Sequence, residues 1–232
     1  MARLRAIFIL LGFLALTLPL MPVQFVLRSK RLPWIYHRLL CKLLGIEITI
    51  DGAPPAGAAL LVANHVSWLD IPVLSAVLPV SFIAKREVGT WPLFGWMAKL
   101  QRTVFVNRES RLSTGNKRNE IAARLQQGDC LVLFPEGTSS DGTQVLPFKS
   151  SYFGTVEDFD IPVIPVTISY QGKPKFYAWF GDMDLVSHLW TVIKSGPIKA
   201  HITIHPALAK ADRKTMARDA ETTIRHTLGE NP

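Results

Sequence analysis

The feature that most constrains this 232-residue chain is a stretch of 22 uncharged residues, 6–27, reading AIFILLGFLALTLPLMPVQFVL. About 20 consecutive apolar residues suffice for a helix to cross the hydrocarbon core of a bilayer, so the stretch must be buried against protein or lipid. Positive charge brackets it. Residues 1–50 hold Arg3, Arg5, Arg28, Lys30, Arg31, Arg38 and Lys42 against the single acid Glu47, and so carry six of the eight net positive charges. Basic residues at both ends give no clear orientation by the positive-inside rule, and Pro19 and Pro22 are expected to break the run. The pattern predicts a re-entrant or interfacial helical pair rather than a simple span, its second member being residues 33–44, PWIYHRLLCKLL, in the headgroup layer. Two other readings stand beside it. Arg3 and Arg5 before an apolar run imitate a signal peptide, although no A-x-A-like site follows, and 33–44 also suits a core helix with snorkelling basic side chains.

Composition narrows the remaining choices. With 48% hydrophobic and 19% charged residues, the chain is too apolar for disorder and has no collagen-like or coiled-coil pattern. Cys41 and Cys130 lie far apart and outside any Cys/His cluster, so neither a disulfide framework nor a zinc site is implied, and a reducing compartment is the simplest expectation. There is no H-E-x-x-H, no dinucleotide fingerprint and no P-loop, so no metal or redox cofactor is expected. The basic residues accompany lipid-like sequence without a nucleic-acid motif, which points to a bilayer and away from nucleic acid.

Beyond residue 45 the chain alternates short apolar runs with amphipathic stretches, the signature of α/β layering. Strands are predicted over 46–50, 58–63, 81–84, 103–106, 130–134, 163–170 and 201–204. Helices are predicted over 67–78, 91–100, 114–127 and 210–228. The aromatic connection 172–197 matches neither template. The organisation expected is a membrane-associated helical segment, 1–45, followed by one domain, 46–232.

Chemistry first appears where the apolar strand LLVA runs into Asn64-His65-Val66-Ser67-Trp68-Leu69-Asp70. Polar side chains that act on ligands emerge at the carboxyl ends of strands in α/β sheets. If a helix starts at Ser67, Asp70 lies within reach of the His65 Nδ1 and leaves Nε2 to accept a proton from a substrate hydroxyl. Ser67 and Asp70 also fit a capping box that serves only the helix. A second strand ends in Phe134-Pro135-Glu136-Gly137-Thr138-Ser139-Ser140, where Pro135 and Gly137 shape a turn that brings backbone near a ligand, or an ordinary turn and nothing more.

Together these segments resemble the glycerolipid acyltransferase family, which includes the 1-acyl-glycerol-3-phosphate acyltransferases. Its NHxxxxD block matches Asn64, His65 and Asp70. Its Gly-x-x-Phe-x-x-Arg block matches at Phe105 and Arg108, with Arg102 in the glycine's place. FPEGTRS matches Phe134 to Thr138, with Ser139 in place of arginine, and Val-Pro-x-x-Pro matches at Pro162 and Pro165. The order and spacing agree across about residues 58–170. The resemblance implies the glycerolipid acyltransferase fold, a mixed sheet of about seven strands flanked by helices. It also implies O-acyl transfer from an acyl thioester, on coenzyme A or acyl carrier protein as co-substrate, to a lysolipid hydroxyl. His65 would be the general base and Asp70 its orienter, with Asn64, Arg108, Glu136, Gly137 and Thr138 binding substrate. The product expected first is phosphatidic acid from 1-acyl-glycerol-3-phosphate, made at the cytoplasmic side of the inner membrane. Ser139 cannot supply the arginine's charge, so phosphate recognition would pass to Arg108, Lys149 or Arg102, or the acceptor is another lysolipid such as lyso-ornithine lipid. A thioesterase and a noncatalytic lipid-binding protein are the remaining readings. Oxyanion donors are expected among the backbone N–H groups just after His65, and an apolar tunnel or groove for the acyl chain.

Overall fold

A computed structural model of the chain describes residues 2–106, 115–157, 159–172 and 174–230. Seven strands form one sheet: β1 (Ile46–Asp51), β2 (Ala59–Ala63), β3 (Val80–Lys85), β4 (Val104–Val106), β5 (Cys130–Leu133), β6 (Val163–Tyr170) and β7 (Ile198–Ile204). Their order is β1-β7-β6-β2-β5-β3-β4, with every pair parallel except the antiparallel β6 and β7. All seven strands stand where the apolar runs predicted them. Pro165 sits inside β6 but ahead of Val166, where pairing with β7 begins, so its missing N–H interrupts no rung on that side.

The helices are α1 (Ala2–Leu27), α2 (Arg31–Leu44), α3 (Asp70–Val77), α4 (Phe94–Leu100), α5 (Gly115–Gln126), α6 (Pro174–Tyr177), α7 (Leu185–Lys194) and α8 (Arg213–Thr227). Central strands read as continuous apolar runs because both faces are covered. In β2, Ala59, Leu61 and Ala63 join a core shared with α2, α3 and α7, while Leu60 and Val62 join a second core with α5 and α8. The connection that matched no template contains α6 and α7. Asp184 caps α7 by accepting from the Ser187 N–H, and the helix leaves Val186 and Trp190 exposed while burying His188 and Val192.

The N-terminal segment differs from expectation at its prolines. Pro19 and Pro22 lie inside α1, which continues through both. Each costs about 3 kcal/mol in a helix interior, and packing along the whole helix offsets this. Near one end the Arg5 guanidinium donates to the carbonyls of Leu44 and Gly196. Near the other, the Gln24 amide donates to those of Leu100 and Ser29. Between them the Thr17 and Tyr36 hydroxyls are 3.0 Å apart. Gly12 permits this closeness to α2, because a β-carbon there would lie 2.6 Å from the Leu43 side chain. At 1.5 Å per residue α1 is about 39 Å long. It lies along the domain, antiparallel to α2, with Leu4, Phe8, Leu11 and Leu18 exposed on its outer side.

Candidate active site

Three neighbouring parallel strands, in the order β6-β2-β5, deliver the site at their carboxyl ends. β2 runs into His65, β5 into Glu136, and β6 ends on Tyr170. His65 Nδ1–H donates to Asp70 Oδ2 at 2.7 Å. That oxygen also accepts from the backbone N–H groups of Val66 (2.8 Å) and Ser67 (2.9 Å), and the Tyr170 hydroxyl donates to Oδ1 at 2.7 Å. A carboxylate only accepts, so the ring proton sits on Nδ1 and Nε2 is left as the basic nitrogen. Asp70 is fully buried, whereas the His65 side chain is 19% exposed. The imidazole stacks on Phe134 with ring centroids 4.1 Å apart, which fixes the ring plane as Asp70 fixes its edge.

The helix after His65 starts later than its sequence suggests. α3 begins at Asp70, not Ser67, and no capping box forms; the Asp70 carboxylate reaches back to the preceding turn instead. The same bonds occupy the Val66 and Ser67 N–H groups, so these two are not oxyanion donors. One carboxylate thus serves both the turn and the imidazole, and the two readings of the motif merge.

Glu136 is buried and takes no part in the His65 ring bonds. Its Oε1 accepts from the His65 backbone N–H at 2.7 Å and its Oε2 from Leu146 N–H at 2.9 Å, while Ser140 N–H donates to the His65 carbonyl at 2.8 Å. The Phe134–Ser140 turn therefore clamps the backbone on either side of His65. Burial pushes the Glu136 carboxyl up to about 8, opposed by these two N–H groups. Gly137 has φ 83°, the left-handed conformation that closes the turn at small cost. Thr138 is exposed beside it.

The other expected positions separate. Asn64 is buried, and its amide both donates to and accepts from the Ile168 backbone (2.9 and 2.8 Å), pinning the end of β2 to β6. Arg108 lies outside the described residues. Lys149 is exposed, and its backbone N–H donates to the Pro135 carbonyl, next to the Glu136 turn. Arg102 is corrected as a phosphate ligand. It pairs with Asp129, just before β5, at the opposite end of the parallel strands and on the order of 20 Å from His65. Its φ is 62°, the conformation a glycine adopts readily.

Tyr170, Phe134 as a ring support, and Trp179 went unrecognised in the sequence. Trp179 N–H donates to the Val66 carbonyl at 2.9 Å, and its own carbonyl accepts from the Ser139 hydroxyl, so the connection before α7 lies over the catalytic turn. The sequence placed Tyr170 at the carboxyl end of a predicted strand, but its adjacency to β2 came only with the strand order.

Beside this site lies a cavity of about 460 Å³, almost wholly apolar, lined from α1, α2, α3, α4 and α7. Phe82 lines it and stacks on Phe134, the ring beneath His65. Two stacked rings, Phe82 and Phe134, thus stand between this apolar recess and the imidazole.

The acyltransferase family model matches residues 45–169. The chain is 40% identical to the lyso-ornithine lipid O-acyltransferase of Brucella abortus, covering 97% of this chain and 94% of that one. It is 34% identical to a 1-acyl-sn-glycerol-3-phosphate acyltransferase of Neisseria gonorrhoeae, over 81% and 76% of the two chains. Its fold is similar to the crystal structure of the 1-acyl-sn-glycerophosphate acyltransferase PlsC from Thermotoga maritima, with a TM-score of 0.68 over the whole of both chains at 21% identity. The chain with this histidine at the end of β2 belongs to the acyltransferase family and is an acyltransferase that acylates lysolipids.

Proposed function

We propose that the acceptor is a lyso-ornithine lipid and that His65 is the general base for its acylation by an acyl thioester of coenzyme A or acyl carrier protein. One observation carries the mechanism: His65 Nδ1 is committed to a buried carboxylate, which leaves Nε2 to work from a partly open position. Nε2 takes the acceptor hydroxyl's proton as the oxygen attacks the thioester carbonyl. The tetrahedral intermediate collapses with cleavage of the carbon–sulfur bond, and the imidazolium returns the proton to the departing thiolate. Asp70 remains ionised throughout and holds the ring. A positioned base of this kind contributes about 10²- to 10⁴-fold.

The acceptor reading rests on Ser139. An arginine there would offer a two-pronged donor to a phosphate, whereas the Ser139 hydroxyl is spent on the Trp179 carbonyl. The similarity to the Brucella enzyme supports the same reading. Lysophosphatidate is the second acceptor, favoured by Lys149 beside the Glu136 turn and by the Neisseria relative. The apolar cavity takes an acyl chain, α1 rests in one leaflet on its exposed side, and the site faces the cytoplasm, where thioester donors are made.

The test is to incubate the purified protein with lyso-ornithine lipid or lysophosphatidate, each with acyl-coenzyme A or acyl carrier protein thioester, and to weigh the lipid products. A diacyl ornithine lipid formed faster than phosphatidic acid, and lost in His65→Ala, is expected. Preferential formation of phosphatidic acid overturns the acceptor, and thioester consumption without a new lipid overturns transfer itself.

A further inference from the structure

The wall of the apolar cavity contains two polar side chains whose hydrogen bonding is incomplete. Among the described residues, three buried side-chain N or O atoms have no partner, and two of them, Gln24 Oε1 and His37 Nδ1, belong to residues that line this cavity. Both residues are more than nine-tenths buried, Gln24 at 6% and His37 at 7% exposure. Buried polar groups of native proteins are nearly always paired, so two such atoms in one wall call for an explanation.

Their neighbours define what each atom can do. The Gln24 Nε2 group uses both its protons on the carbonyls of Ser29 (3.0 Å) and Leu100 (2.8 Å), which fixes the amide and leaves Oε1 as an acceptor. His37 Nε2 lies 3.2 Å from Gln101 Oε1, and the Gln101 amide N–H donates to Ser75 Oγ at 2.6 Å. A carbonyl oxygen only accepts, so the ring proton sits on Nε2 and Nδ1 presents a bare lone pair. Burial pushes the imidazole down to about 4 and keeps it neutral. The cavity wall thus holds two acceptors and no donor for either.

Both side chains are anchored on consecutive residues, Leu100 and Gln101, where α4 ends. The Gln101 carbonyl accepts from Ser81 Oγ at 3.0 Å, near the start of β3. Ser81 pairs in register with Leu131, and Leu131 with Leu60 of β2. From Leu60 the strand direction leads to His65 over a distance on the order of 15 Å. The acceptors therefore stand at the far end of the cavity, whereas Trp68 of the catalytic turn lines its near end.

We propose that this far end is a hydroxyl site, receiving an acyl chain that carries an O–H group on its distal part and donates it to His37 Nδ1 or Gln24 Oε1. Against the hydrocarbon that makes up most of the wall, a buried hydroxyl loses its water and gains nothing in return. At the far end it meets an acceptor that a plain chain leaves unpaired. A cation is excluded, because no acidic residue lines the cavity to balance it. The hydroxyl in question is distinct from the one that is acylated, which meets His65 at the opposite end. The proposal rests on reading the cavity as the chain site and adds a chemical preference to it.

The test uses the full chain in detergent, with palmitic acid and palmitic acids hydroxylated at successive positions competing against a fluorescent fatty acid. Mid-chain isomers are expected to bind about ten-fold or more weakly than isomers hydroxylated within one distal window. In His37→Phe or in Gln24→Leu the distal isomers should fall to the mid-chain level while palmitic acid still binds. A hydroxyl that weakens binding equally wherever it stands overturns the proposal, and the wild-type series decides this even if a substitution disturbs the cavity. A distal preference that survives both substitutions overturns it as well. Failure of every chain to bind overturns the chain site and the proposal together. If the distal preference is present but no lysolipid is acylated from any thioester, the proposed function fails and the hydroxyl site stands.

Discussion

Asp70 and Asp129 are both buried carboxylates with several donors, placed at opposite ends of the same parallel strands, and they serve opposite ends. Asp70 is met by neutral groups: two backbone N–H groups, a tyrosine hydroxyl and an imidazole edge. Asp129 is met by three cations. Lys30 lies at 2.5 Å from Oδ1 and Arg102 at 3.0 Å from Oδ2, and the Arg124 Nε also donates to Oδ2. Burial alone would raise the Asp129 carboxyl, but these cations outweigh it and hold the group below the usual carboxylate range. Permanent countercharges make a strut, here tying the α1–α2 turn to the start of β5. A carboxylate whose partner is an imidazole keeps one group that can gain and lose a proton, and that difference separates a catalytic aspartate from a structural one.

The comparison is sharpest at the imidazole. His65→Ala, and Asp70→Asn, which can present an amide N–H to the ring and favour the wrong tautomer, should each lower kcat by on the order of 10³- to 10⁴-fold. For His65→Ala the thermal midpoint should hardly move. An Asp70→Asn enzyme with near-normal turnover would break the assignment. Asp129→Ala should do the reverse, costing roughly 2 to 3 kcal/mol in denaturant melts with turnover per folded molecule unchanged. That is below the range for a fully buried pair, because Lys30 is half exposed. This stabilisation is present above the ordinary carboxylate range and is lost as pH falls through the depressed value. Tyr170→Phe leaves one buried oxygen of Asp70 short of a donor, so about 1 to 3 kcal/mol of stability should go, together with a smaller fall in kcat than in Asp70→Asn.

Glu136 tests a third kind of buried carboxyl, one met by backbone alone. Its ordinary value near 4.5 rises to about 8 in the fold. The folded state therefore holds the proton more tightly than the unfolded chain across that interval, and stability should fall as pH rises through it. Glu136→Gln should flatten the slope measured by chemical denaturation at a series of pH values; an unchanged slope would show that Glu136 is already ionised near neutrality. The smallest effect is expected at Arg102→Gly, which relieves a left-handed backbone worth about 1 kcal/mol while removing one of the three cations on Asp129. The midpoint of unfolding should shift little, and a large loss would make Arg102 the principal strut.

Much of this arrangement was legible in the chain itself. The sequence located all seven strands: β2, β3, β5 and β6 read as near-continuous apolar runs because both their faces are buried, whereas β1 and β7 alternate apolar with polar residues. The position of His65 and Asp70 after such a run placed them at the carboxyl end of β2. The helices were less legible at their starts and in 172–197. The carboxylate of Asp70 delays α3 by engaging the turn before it, and α7 is a short ten-residue helix that leaves Val186 and Trp190 on its outer side. The prolines of α1 misled for a related reason. The local cost of each was readable, whereas the packing that offsets it involves Leu43, Tyr36 and Leu100.

The linear order of residues determined which groups can do chemistry here: one imidazole five positions before an aspartate, a glutamate in a tight turn, and an uncharged stretch long enough for lipid. Only tertiary structure decided which partners those groups receive. Tyr170 is 100 residues from Asp70, Glu136 is 71 from His65, and Lys30 closes on an aspartate near β5. Contacts across such separations depend on strand order and register, which no local pattern encodes. They convert a histidine near an acid into an oriented base, and an arginine in a glycine's place into part of a strut.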